Sequence, residues 1–111
     1  MSKMAGGKIL VDSVLNQGVD TIFGIPGGQT YEVFDALYHR GDEINLITSR
    51  SEQGAAYMAF GYARSTGKVG VFTVVPGPGV LNTGAAMTTA YACNSPVLCL
   101  TGQVPSTGIG K

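Results

Sequence analysis

Tryptophan is absent from these 111 residues, histidine occurs once and cysteine twice. Cys93 and Cys99 stand in a C-x5-C spacing that matches no common zinc or redox motif, so two buried thiols of a cytoplasmic protein are expected. The lone His39 falls on a polar helix turn and reads as solvated. No acidic residue follows Glu52, and no charge of either sign lies between Lys68 and Lys111. That long uncharged stretch is not a membrane span. Pro76, Pro78, Asn82, Asn94 and Pro96 interrupt it, and a span needs about 20 consecutive apolar residues. Met1 to Lys8 lacks the apolar core of a signal peptide, because Asp12 soon breaks the run. Seven basic and seven acidic residues cancel, which argues against nucleic acid or an anionic membrane as a partner.

What the chain does have is 17 glycines and an alternation of helix and strand patterns with little loop between them. Helical spacing runs from about Lys3 to Gln17, with Gly18 as its stop. Thr21 to Ile25 reads as a strand ending in Pro26-Gly27-Gly28. Tyr31 to Tyr38 reads as a helix, Ile44 to Thr48 as a strand, and Ser51 to Ser65 as a helix. Val69 to Val75 is a continuous β-branched strand, Gly79 to Tyr91 one helix without charge, and Val97 to Thr101 a last strand. This order predicts a single α/β domain over residues 1–111, a parallel sheet flanked by helices on both faces. Such sheets bind ligands at the carboxyl ends of their strands, where this chain places its glycine loops and Glu52. The helix without charge requires cover on more than one side. Gly54, Ala55, Ala56, Ala59 and Gly61 permit close approach, either of another subunit or of the chain's own sheet.

Gly77-Pro78-Gly79 follows a strand and opens a helix, as a dinucleotide fingerprint would. The third glycine position holds Asn82, however, and no acid follows to hold a ribose. Gly79-x4-Gly84 lacks the lysine of a phosphate loop, and no G-x-S-x-G elbow occurs. Glu52, just past a strand end at the first turn of a helix, has a plain reading as an acid complementing the helix dipole, worth about 0.3–1 kcal/mol.

The surrounding residues add a more specific reading. Arg50-Ser51-Glu52-Gln53-Gly54-Ala55-Ala56-Tyr57-Met58-Ala59-Phe60-Gly61-Tyr62-Ala63-Arg64, then Gly67-Lys68 and Pro76-Gly77-Pro78-Gly79-Val80-Leu81-Asn82, resemble thiamine diphosphate enzymes of the acetolactate synthase and 2-oxo acid decarboxylase type. Phe23 to Gly28 and Gly102-Gln103-Val104 fit the same pattern, so the likeness runs from about Lys8 to Val104 in family order. It corresponds to the domain that binds the cofactor's pyrimidine ring.

The resemblance implies that Glu52 is the carboxyl group hydrogen-bonded to the pyrimidine nitrogen, where it relays the proton that activates the cofactor. It implies that Pro26, Gly27 and Gly28 lie along the pyrimidine, that Pro78 and Asn82 approach the ring from another side, and that Gln103 faces the reacting centre. Pro78 also has a plain explanation as a favoured first helical residue. The substrate implied is a small 2-oxo acid such as pyruvate, with carbon–carbon bond cleavage and formation. A decarboxylase or lyase of the same family, and a non-catalytic pyrimidine-domain module, stand as alternatives. Mg2+ and the diphosphate would be held outside this chain, because the family's Gly-Asp-Gly motif cannot occur after Glu52. FAD stays open as a further cofactor of the complete enzyme. A homo-oligomer, dimer or tetramer, is implied, and the chain is expected to be one portion of a longer enzyme. Two departures stand on the rim: Ser51 where the family usually has His, and Val75-Pro76 where it often has Thr-Ser.

Overall fold

The computed structural model describes residues 3–111. It has four parallel strands, β1 (Thr21–Gly24), β2 (Asn45–Thr48), β3 (Gly70–Val74) and β4 (Val97–Thr101), in the order β2-β1-β3-β4. The helices are α1 (Gly6–Asn16), α2 (Tyr31–Tyr38), α3 (Glu52–Thr66), α4 (Pro78–Leu81) and α5 (Gly84–Ala92). A 3-10 turn at Ser106–Gly108 follows β4.

Side chains alternate across a strand, and the sheet accordingly has two cores. Ile22, Ile44 and Val71 face α1 and α2, where they meet Val11, Val14 and Leu37. Phe23, Phe72 and Val74 face the other way, against Ala55, Ala56 and Ala59 of α3 and Ala86 of α5. The expected sheet with helices on both faces is therefore found. β3 is buried at all five positions, which explains why its sequence is an apolar run without alternation. Gly18 takes a φ of 80° just after α1, and Gly67 a φ of 72° after α3, both left-handed conformations that glycine adopts without steric cost.

Several expectations need correction. α2 and β4 keep the bounds read from the sequence, and the other elements differ by one or more residues at one or both ends, most at the start of α1. The uncharged helix is two helices. The Thr83 hydroxyl donates to the Val80 carbonyl at 2.6 Å, and the Thr83 amide takes the same carbonyl at 2.9 Å. This local pairing tightens the turn and interrupts the α-helical ladder at Thr83. Cys93 is exposed just beyond α5, and Cys99 is only partly buried; burial raises the Cys99 thiol pKa. The alanines of α3 pack onto the chain's own sheet, whereas a side chain at Gly61 would meet open space. No helix among the described residues is long and apolar enough to cross a membrane.

Candidate functional site

From β1 the chain passes through α2 outward to β2, then returns through α3 to β3 on the other side of β1. α2, which follows β1, and α5, which follows β3, lie on opposite faces, so the connections after β1 and β3 diverge and leave a crevice at the carboxyl ends of those strands. Gly27 stands on one lip, and Val75 and Gly79 on the other.

Glu52 enters this crevice from the start of α3. Ser51 is the N-cap, its hydroxyl accepting the Gly54 amide at 3.0 Å, and the Ser49 hydroxyl donates to the Ser51 carbonyl at 2.9 Å. Those two serines fix the turn that makes Glu52 the first helical residue. A β-carbon at Gly54 would stand 2.7 Å from the Ser49 hydroxyl, which would have to shift from the turn. Ser51 is thus committed to the helix start and brings no titratable group to the rim.

Asn82 closes the other side. Its Nδ2 donates to Glu52 Oε2 at 3.2 Å, from the turn just after α4. Gly79 is buried beneath this pair, with the place of its missing β-carbon 3.8 Å from Glu52 Cγ. Gly27, Val75, Gly79, Glu52 and Asn82 therefore form one contiguous group, although they come from three connections of the sheet.

Of the remaining candidates on the rim, Pro26 and Gly28 flank Gly27 in the chain, and the Pro78 carbonyl accepts the Asn82 amide at 3.0 Å. Pro26 is exposed, and Gly28 has open space where a side chain would go. Pro78 is exposed at the first residue of α4. Gln103 is exposed beyond β4, and its side-chain oxygen accepts the Val104 amide at 2.8 Å. Gln29, in the left-handed conformation at φ 63°, turns its carbonyl against Gly102, where any β-carbon would collide with it. That contact ties the β1 connection to the end of β4, across the end of β3. Sequence reasoning placed Val75 on the rim but missed its contacts, and it passed over Ser49 and the capping role of Ser51. A serine directly before a helical pattern does signal a cap, but nothing in the order of residues marks Val75 as a contact of two glycines.

The donor set fits an aminopyrimidine. The crevice offers one carboxylate acceptor and one amide donor, with open space beside the backbone at Gly28. Among the described residues no cluster of three His, Cys, Asp or Glu side chains is placed to hold a metal. Two further concavities lie away from the rim, one between α1 and α2 and another at the amino ends of the strands around Asp20 and Tyr62.

The family model for the thiamine pyrophosphate enzyme N-terminal TPP binding domain matches residues 4–111. The chain belongs to this family. Among the relatives of this TPP-binding domain is the mitochondrial acetolactate synthase catalytic subunit of Saccharomyces cerevisiae, 45% identical over 96% of the chain and 15% of that protein. The acetolactate synthase large subunit of Haemophilus influenzae is 44% identical over 100% of the chain and 19% of that protein. A protein of Pseudomonas aeruginosa named "Probable 2-ketoarginine decarboxylase" is 44% identical over 97% of the chain and 19% of its own length. The TPP-binding domain thus spans under a fifth of these relatives.

Proposed function

We propose that this domain binds the aminopyrimidine of thiamine diphosphate in an acetolactate synthase-like enzyme acting on 2-oxo acids such as pyruvate. The observation that carries this reading is the pairing of Glu52 with Asn82 over the crevice between β1 and β3. When bound, the cofactor supplies a carbanion centre that attacks the 2-oxo carbon and permits loss of CO2. Glu52 is the acid–base group toward the ring nitrogen, and Asn82 orients its carboxylate. Gly27 and Gly28 offer backbone along one edge, Pro26 and Pro78 flank the opening, and Gln103 stands on the substrate side.

Diphosphate and Mg2+ are held, in this proposal, by a different part of the enzyme, since Glu52 is the last acid of the chain. The 111 residues alone would then turn over no 2-oxo acid. The rim, with Pro26, Pro78 and Gln103 exposed, favours a site completed by a second domain or subunit, and with it a homo-oligomer. A protein named as an acetolactate synthase catalytic subunit and one named as a probable 2-ketoarginine decarboxylase share this domain at 45% and 44% identity. That near-equality favours a domain supplying the common activation step, with the fate of the carbanion chosen elsewhere.

The test is Glu52→Gln in the complete polypeptide, with thiamine diphosphate and Mg2+ present. The amide keeps the shape but relays no proton, so pyruvate consumption should fall by about 10²- to 10⁴-fold while cofactor binding persists. An unchanged rate would remove Glu52 from the chemistry and overturn the reading.

A further inference from the structure

Gly27 and Gly79 lie on opposite lips of the crevice, and neither has the positive φ that demands glycine. Each is glycine because of what stands beside it. A methyl group at Gly27 would lie 2.5 Å from Cγ1 of Val75, and one at Gly79 would lie 2.6 Å from Cγ2 of the same residue. One β-branched side chain therefore fills both spaces, one methyl to each lip.

Val75 is also held stiffly. It follows the end of β3 and precedes Pro76, which restricts its backbone to extended conformations. Branching at Cβ limits χ1, so the side chain cannot swing clear of a lip as leucine or methionine could. Beyond Gly79, α4 is a single short turn, with the Leu81 and Asn82 amides on the Gly77 and Pro78 carbonyls, both at 3.0 Å. A displacement at Gly79 is thus passed directly to Asn82, and from there to Glu52.

We propose that Val75 is a positioning residue, a wedge that sets the spacing between the β1–α2 connection and α4 and so aims the Asn82 amide at Glu52. This deepens the function proposed above and rests on it. It also gives the Val75-Pro76 pair a physical role: stiffness of backbone and side chain at the one point that both lips share.

The test is a double-mutant cycle in the complete polypeptide, read by calorimetric titration of thiamine diphosphate in saturating Mg2+. Gly79→Ala and Val75→Ala should each weaken binding by about tenfold, the first by overfilling the contact and the second by emptying it. The Val75→Ala/Gly79→Ala double variant, in which the new methyl refills the vacated space, should bind more tightly than either single variant. Val75→Ala/Gly27→Ala should behave likewise on the other lip, and Val75→Thr, which keeps both branches, should bind as the wild type does. If Gly79→Ala does not fold, recovery of a cooperative thermal transition in the double variant supports the wedge equally. Strictly additive losses in both cycles, with tight wild-type binding, would overturn the wedge alone. A wild-type protein that takes up no thiamine diphosphate would overturn the proposed function, and the wedge's part in it.

Discussion

Asn82 Nδ2 lies 3.2 Å from Glu52 Oε2, a contact between residues 30 apart in the chain and on different connections of the sheet. It makes the carboxylate of α3 and the turn after α4 one unit. Removing the amide with Asn82→Ala frees the Glu52 side chain to rotate. A hydrogen bond to a charged group contributes about 1.5–3 kcal/mol, so kcat in the complete polypeptide should fall by about tenfold or more, with the fold intact. Steady-state pyruvate consumption beside a circular dichroism spectrum checks both halves of the expectation.

Thr73 is 1% exposed at the centre of the sheet, and its hydroxyl has no hydrogen-bond partner. An orphaned buried hydroxyl costs free energy that an isosteric methyl does not. Thr73→Val should therefore stabilise the fold by about 1 kcal/mol, raising Tm by about 4–8 °C in a domain of this size. Differential scanning calorimetry reads it, and a lower Tm would show that the hydroxyl has a role its surroundings do not reveal.

At the opposite end of the sheet, Asp20 accepts hydrogen bonds from Lys68 Nζ at 2.8 Å, Tyr62 Oη at 2.7 Å and Thr21 Oγ1 at 3.0 Å. These donors, Lys68 foremost, hold its pKa down to about 2. A carboxylate depressed in the folded state contributes stability that is complete above the ordinary carboxylate range and is lost as pH falls through the folded value. The Tm difference between wild type and Asp20→Asn should thus be largest near neutrality and close as pH falls from that range towards about 2. A difference independent of pH would show that Asp20 acts through shape alone.

Ala59 is fully buried and Ala86 is 1% exposed, both against the chain's own sheet, so neither faces a partner. Ala59→Glu or Ala86→Glu should leave no folded protein, since either buries an unpaired charge. Tyr91, 87% exposed on α5, is the better probe of assembly. Tyr91→Glu should leave the domain's own stability within about 0.5 kcal/mol, because surface changes rarely do more. Sedimentation of the complete polypeptide then reports whether this uncharged side of α5 is covered by a second copy.

The order of residues carried most of the architecture. β-branched runs of about five residues, helical spacing between them and glycines at the joints led to an α/β sheet with its ligand rim at the strand ends, because local periodicity and turn chemistry act within a few residues. Glu52 was legible for the same reason, as the last acid of the chain standing at a helix start among small neighbours.

What the sequence left open was every relation across the sheet. The 79–91 helix read as continuous although Gly84 stands directly after its break, because a lone glycine within a helical pattern is tolerated; the Thr83 hydroxyl makes that break by bonding the Val80 carbonyl. The alanines of α3 were compatible with a partner or with the chain's own strands, and only the docking of α3 decided for the strands. Gly27 and Gly79 carried no mark of a common neighbour, since the contact exists only when β1 and β3 lie side by side. Periodicity is a property of neighbours in the chain and was readable there. The crevice is a property of neighbours in space, and the crossing of the chain over β1 made it.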